Sequence, residues 1–178
     1  DLKLTISCLD TSMDLSESTV NGDVIADMMQ LAHDLQVPYV VGWASSPNEE
    51  MIVSNLERLL PIAEKLGVCL LIKTSGIYAD TGRLRSLLES FASDYTGALW
   101  DMHHPYRDFG ESADTTIKNL GTYVKHVHLR DSDDKDTYNL IGEGNMPVAS
   151  MIRALSSINY DGFISLEWKP GWMEDLQD

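Results

Sequence analysis

The chain has 178 residues, of which 43% are hydrophobic and 23% are charged, and its formal net charge is −15. This composition is typical of one globular domain with its own core, so we treat residues 1–178 as a single domain. The negative charge excludes generic nucleic-acid binding, which needs basic contacts to phosphates, and no apolar run is long enough to span a membrane. Cys8 and Cys69 lie in apolar runs, which predicts buried thiols and a reducing cytoplasmic location.

Short apolar runs alternate with helical patterns along the whole chain. Strands are predicted over residues 2–8, 38–43, 68–72, 98–100, 124–131 and 162–167. Helices are predicted over residues 24–35, 47–66, 81–92, 113–123 and 147–158. A strand and a helix recur about every thirty residues, a period that favours parallel strands joined by crossover helices.

Two parallel architectures compete, an open doubly wound sheet and a closed (β/α)8 TIM barrel. The open sheet usually has a glycine-rich phosphate loop after its first strand, and residues 7–12 do not form one. We therefore favour the barrel, in which side chains from several strands converge on one axis. A complete barrel has eight units and about 250 residues. We count six units here and expect two further βα units before Asp1.

Three of the predicted strands end in residue types that bind metals. Asp101 and His104 follow one strand, His128 and Arg130 lie at the end of the next, and Glu167 ends the last. Each short motif alone has low specificity, but their occurrence at successive strand ends is much stronger. Because side chains alternate along a strand, His128 and Arg130 should share one face with His126.

The chain resembles the xylose isomerase-like TIM barrels, and within them it is most similar to the sugar phosphate isomerase/epimerase group. The resemblance lies in residues 100–105, 126–131, 142–144 and 160–168. It implies a divalent metal (Mn²⁺, Co²⁺, Mg²⁺ or Zn²⁺) at the barrel mouth. It also implies isomerisation or epimerisation of a sugar or sugar phosphate, by proton transfer next to a carbonyl through an enediolate.

The resemblance also assigns residues to roles. Asp101, His128 and Glu167 match metal ligands, and Glu167 can also act as an acid or base. His104 matches a histidine that contacts substrate or metal, and Arg130 matches a basic group that contacts substrate. We add Trp43, at the end of the second predicted strand, to the substrate-binding set.

Lys73 departs from the family pattern, because it stands where the family places a liganding glutamate. We expect Lys73 to lie against Asp101 or Glu167 and to make metal binding weak or absent. Lys73 could instead be a catalytic base or a cation that stabilises an enediolate. A third alternative is that it extends to solvent and leaves a three-ligand site intact.

The main functional hypothesis is a metal-dependent sugar isomerase or epimerase, or a related dehydratase acting on a polyol. The alternative, motivated by Lys73, is a non-catalytic carbohydrate-binding barrel. A DNA-repair endonuclease of the same superfamily is disfavoured, because the chain has five histidines and a charge of −15. We expect a small sugar or polyol as the partner, without nucleic acid or membrane, and we leave a homo-oligomer open.

Overall fold

A computed structural model of the chain describes residues 3–168. The strands in that range are β1 (Leu9–Asp14), β2 (Tyr39–Trp43), β3 (Cys69–Lys73), β4 (Thr96–Asp101), β5 (Val124–Leu129), β6 (Asp131–Ser132), β7 (Tyr138–Asn139) and β8 (Ile164–Leu166). The helices are α1 (Thr19–Asp34), α2 (Glu49–Leu66), α3 (Thr81–Phe91), α4 (His103–Phe109), α5 (Ala113–Leu120) and α6 (Val148–Ser157). None of these helices combines the length and apolarity needed to cross a lipid bilayer.

Six of the described strands form one parallel sheet in the order β1-β2-β3-β4-β5-β8. The sheet is strongly curled. In a flat sheet, four strand spacings of about 4.8 Å would separate β1 from β5 by roughly 19 Å. Instead, the Cys8 thiol beside β1 lies within 4.8 Å of imidazole nitrogens on β5. The predicted arc of a (β/α)8 barrel with about six βα units is therefore confirmed, whereas two further units before Asp1 stay a prediction.

The two faces of the sheet are buried in different layers. The outer face packs against the helices through residues such as Val40, Leu70 and Trp100, and this layer holds most of the apolar core. The inner face forms a small cluster in the barrel axis, made of Val41, Leu71 and Leu99 with Cys8, Tyr39 and Cys69 against them. The apolar inner cluster fills the barrel interior below the strand ends, and the charged groups of the rim lie above it.

Local sequence signals set several helix boundaries. The side chains of Asn48, Asp80 and Ser112 accept hydrogen bonds from backbone N–H groups in the first turns of α2, α3 and α5. Gly67 ends α2 with a φ of +66°, a left-handed conformation that glycine adopts without strain. Asn48 occupies the cap position directly before the first residue of α2, Glu49.

The prediction of the first strand over residues 2–8 is wrong, because β1 covers Leu9–Asp14. Leu4 and Ile6, which alternate in the predicted strand, are 81% and 50% exposed. The true strand alternates in the opposite sense: Leu9 and Met13 pack on the core, while Asp10 and Ser12 line a polar cavity. A strand whose inner face is polar lacks the apolar signal on which the prediction depended.

Candidate active site

The carboxyl ends of the parallel strands carry the predicted functional residues to one rim. Lys73 is the last residue of β3, Asp101 is the last of β4, His128 lies near the end of β5, and Arg130 and Glu167 directly follow β5 and β8. In a parallel barrel these ends share one mouth, where catalytic side chains are found. The structure brings all five side chains into one connected group.

Asp101, His128 and Glu167 converge as the strand ends predict. One potential ligand atom from each residue lies within 4.8 Å of the other two. Asp101 is fully buried, and the Glu167 side chain is 14% exposed. His128 Nδ1 lies 3.5 Å from Glu167 Oε2, an ion-pair distance if the ring is protonated. Two carboxylates and one imidazole are a donor set that suits a divalent ion.

Lys73 lies against both carboxylates of that group. Its Nζ is 3.2 Å from Asp101 Oδ2 and 3.3 Å from Glu167 Oε1, and its side chain is 13% exposed. Burial would lower the pKa of Lys73, but the charges of Asp101 and Glu167 outweigh burial and raise it. Lys73 is therefore protonated at neutral pH. It does not extend to solvent, so that alternative for Lys73 is wrong.

Arg130 is a second cation in the same group. One guanidinium nitrogen lies 3.1 Å from Asp101 Oδ2 and the other lies 3.1 Å from Glu167 Oε2. The Tyr138 ring stacks 5.5 Å from the guanidinium carbon. Arg130 thus bridges the two carboxylates, a contact that sequence analysis did not foresee. Its predicted role in contacting substrate stays a prediction.

The charges around Asp101 and Glu167 do not fit a divalent ion in the arrangement described. Two cations, Lys73 and Arg130, already balance the two carboxylates at hydrogen-bond distance. Two like unit charges about 4 Å apart cost roughly 4 kcal/mol at an effective dielectric of 20, and a doubly charged ion doubles that repulsion. The residue types match a metal site, but Lys73 would have to move before an ion could enter.

The substitution Lys73→Glu tests this balance directly. It replaces the repelling ammonium with a fourth ligand, so Mn²⁺ should bind at least about tenfold more tightly, which corresponds to about 1.4 kcal/mol. Titration calorimetry of both proteins with Mn²⁺ measures the difference. Tight Mn²⁺ binding by the unchanged protein, weakened by Lys73→Glu, would contradict our interpretation of this position.

His104 lies at the edge of the charged group. Its Nε2 is 2.7 Å from an Arg130 guanidinium nitrogen and 3.7 Å from Asp101 Oδ2, and its Nδ1 is 2.7 Å from Asp108 Oδ2. Because arginine can only donate, Nε2 must accept and the proton lies on Nδ1, which donates to Asp108. His104 is thus fixed in one tautomer, with its ring against a polar cavity.

A cavity of about 500 Å³ opens above the group. It is lined by Asp10, Ser12, Val41, Trp43, Lys73, Ser75, Gly76, His104, Asp108 and Glu167. Trp43, which was predicted to contact substrate, donates its indole N–H to the Ser12 carbonyl oxygen at 3.3 Å. An added Cβ on Gly76 would lie 2.1 Å from the Ala44 carbonyl oxygen, so only glycine fits where these two loops cross.

Four polar residues of this cavity wall were not predicted from the sequence: Asp10, Ser12, Ser75 and Asp108. Two of them had usable signals. Ser75 directly follows the end of a predicted strand, and Asp108 lies four residues after His104, the spacing at which helical side chains meet. Asp10 and Ser12 had none, because they lie outside every predicted strand and helix.

A family model described as xylose isomerase-like TIM barrel matches residues 1–177. The chain belongs to this family. The family predicted from the strand-end motifs is therefore confirmed, and the six parallel strands of the described region are the corresponding part of the barrel.

Known proteins of this family resemble the chain over most of its length. Fructoselysine 3-epimerase from Escherichia coli O157:H7 is 25% identical over 167 residues, which are 86% of this chain and 60% of that protein. The chain thus spans about three fifths of this curated relative.

Two solved structures show the same fold. A 3-keto-D-glucoside 4-epimerase from E. coli is 14% identical, with a TM-score of 0.78, 92% of this chain covered and 72% of that one. A xylose isomerase-like TIM barrel protein from Mycobacterium smegmatis in complex with magnesium is 15% identical, with a TM-score of 0.72 and coverages of 92% and 66%. At these identities the likeness concerns the fold alone.

Proposed function

We propose that this protein is a sugar isomerase or epimerase that moves a proton on the carbon next to a carbonyl group. The observation that carries the proposal is the pairing of Glu167 and Lys73, which line the same polar cavity from different strands, 3.3 Å apart. The similarity to fructoselysine 3-epimerase supports this reaction class. An enediolate intermediate needs both a proton acceptor and a positive group for its oxygen.

Glu167 is the proposed proton acceptor. Burial alone would raise its pKa, but contacts with His128, Lys73 and Arg130 hold the pKa well below its usual value of 4.5. The group is therefore an ionised carboxylate at neutral pH and can take a proton from a bound sugar. The same contacts make it a weaker base than a free carboxylate, so a substrate oxygen that draws Lys73 away would strengthen it.

Lys73 is the proposed stabiliser of the developing negative charge. Because the carboxylates raise its pKa, it holds its proton at neutral pH and is a poor candidate for a base. An ammonium beside the reacting carbonyl oxygen stabilises an enediolate electrostatically. Of the catalytic roles left open by the sequence, we therefore assign Lys73 that of the cation.

The proposed reaction does not require a divalent ion. Asp101, His128 and Glu167 are the residues that would hold Mn²⁺, Co²⁺, Mg²⁺ or Zn²⁺, and a bound ion would polarise a hydroxyl and carbonyl pair. Since Lys73 and Arg130 already balance the carboxylates, we assign no step of the reaction to an ion.

The substrate should be an unphosphorylated sugar or polyol. The cavity wall carries three carboxylates, of Asp10, Asp108 and Glu167, and its ammonium, from Lys73, is paired with carboxylates. A phosphate group would meet more negative than positive charge among the residues described here. Hydroxyl groups, in contrast, can donate to these carboxylates and accept from Ser12 or Ser75.

The second candidate function is a carbohydrate-binding barrel without catalysis. One observation favours it: Lys73 and Arg130 pair with the carboxylates of both Asp101 and Glu167. Neither carboxylate is then a strong base unless a bound substrate displaces the two cations. The two candidates share the cavity and differ only in whether a proton is exchanged.

Proton exchange separates the candidates. The protein is incubated in D₂O with a panel of ketoses and their 6-phosphates, and NMR follows deuterium at the carbon next to the carbonyl and the appearance of epimers. We expect exchange with an unphosphorylated ketose and at least about tenfold less with its phosphate. Saturable sugar binding without exchange would favour the binding barrel, and exchange confined to phosphates would contradict the proposed substrate class.

A further inference from the structure

A second group of metal-binding side chains lies inside the barrel and shares His128 with the group of Asp101 and Glu167. It consists of Cys8, His126 and His128, whose thiol sulfur and imidazole nitrogens lie within 4.8 Å of one another. Cys8 directly precedes β1, and both histidines point inward from β5. The curl of the sheet alone brings these strands together.

The two imidazole rings offer nitrogen atoms to this group. His126 is fully buried and His128 is 8% exposed. Within residues 3–168, His126 Nδ1 has no hydrogen-bond partner, and His128 Nδ1 has a 3.5 Å contact with Glu167 Oε2. A buried polar atom without a partner costs about 1–3 kcal/mol, so His126 Nδ1 would gain from binding a ligand.

His126 is also held in place by a neighbour. Its Nε2 lies 2.9 Å from the Ser165 hydroxyl oxygen on β8. Histidines that bind metals usually use one ring nitrogen for the metal and the other for such an orienting hydrogen bond. The two rings meet edge to face, with centroids 5.5 Å apart.

We propose that Cys8, His126 and His128 bind a Zn²⁺-like transition metal ion. One thiolate and two imidazoles are soft and borderline ligands, which suit Zn²⁺ or Co²⁺ far better than Mg²⁺ or Mn²⁺. Ligand atoms about 2.0–2.3 Å from a tetrahedral ion lie roughly 3.5 Å apart, so small side-chain rotations close the site around it. On binding, the Cys8 thiol loses its proton to solvent and the sulfur forms the metal bond.

This site does not depend on the proposed catalytic function. Three protein ligands leave a fourth position for water, and the shared ligand His128 links the site to the rim above. Because Lys73 and Arg130 balance the carboxylates at the rim, the inner group offers a divalent ion the less repulsive ligand set.

Cobalt spectroscopy tests the proposal, with Co²⁺ as the probe. Added to the reduced, metal-free protein, Co²⁺ should produce a near-ultraviolet sulfur-to-cobalt charge-transfer band that saturates at one ion per chain. Cys69→Ser is the matched control, because Cys69 is also a partly buried thiol of the barrel interior but lies outside the group. The band should persist in Cys69→Ser and disappear in Cys8→Ser.

His126→Gln provides a second measurement if Cys8→Ser does not fold, as judged by circular dichroism. Orienting contacts of metal ligands are worth about 10- to 100-fold in affinity, so loss of a ligand should weaken Co²⁺ binding by about 100-fold or more. The proposal would be overturned if the band persisted in Cys8→Ser or disappeared in Cys69→Ser. It would also be overturned if the unchanged protein bound Co²⁺ without the band or did not bind Co²⁺.

Discussion

Replacing Lys73 by methionine should lower the free energy of unfolding by about 3–5 kcal/mol at pH 7. Asp101 is fully buried, and Lys73 Nζ is 3.2 Å from its carboxylate. Methionine keeps the length of the side chain but removes the charge, so the two carboxylates are left with Arg130 and, at Glu167, His128. Breaking a buried pair in this way costs much more than losing an exposed one.

Urea denaturation measures this loss, and Lys65→Met is the matched control because Lys65 lies exposed on α2. The pH dependence gives a second check. Since the pKa of Lys73 is raised above 10.5, its contribution is fully present below pH 10.5 and is lost as pH rises further. The difference in unfolding free energy between the unchanged protein and Lys73→Met should therefore become smaller in strong alkali. A loss no larger than that of Lys65→Met would mean that the ion pairs contribute little.

Replacing Glu167 by glutamine should lower kcat for the proposed reaction by about 10²- to 10⁴-fold, the contribution of a general base. The amide fills nearly the same space but cannot accept a proton. The KM for the sugar should change much less, because the amide still forms hydrogen bonds in the cavity. The deuterium exchange assay with the preferred ketose measures both constants.

Glu57→Gln is the control for this change, since Glu57 is exposed on the outside of α2. Circular dichroism and unfolding curves separate a catalytic loss from a folding loss, because Glu167→Gln also removes a partner of Lys73 and Arg130. If Glu167→Gln kept more than about a tenth of the activity, another group would have to be the base.

Much of the fold could be predicted because the buried strands are visible in the sequence as apolar runs. Continuous apolar runs such as 69–72 and 98–100 are typical of parallel strands covered on both faces. β1 was not predicted because the side chains on its inner face, Asp10 and Ser12, line the polar cavity and do not pack in the apolar core. Burial against polar groups leaves no hydrophobic pattern in the sequence.

Only the site residues at the ends of predicted strands could be predicted from the sequence. Asp101, His128 and Glu167 stand where parallel strands must converge, so their proximity follows from topology. The contact of Lys73 with Glu167 and the meeting of Cys8 with His126 join strands that are not neighbours, so they depend on the curl of the sheet. That curl is a cumulative property of five strand pairs, and no single segment encodes it.

The contact between β3 and β8 sets an order for the assembly of the molecule. Lys73 and Glu167 are 94 residues apart in the chain, and their strands are not neighbours in the sheet. They can meet only after β4 and β5 have joined between them, and contacts at such long sequence separation slow folding. Glu167 therefore stays solvated in every partly folded state that lacks β8, whereas Asp101 can already pair with Lys73 and Arg130 from the neighbouring strands. The Lys73–Glu167 ion pair forms only after β8 has joined the sheet.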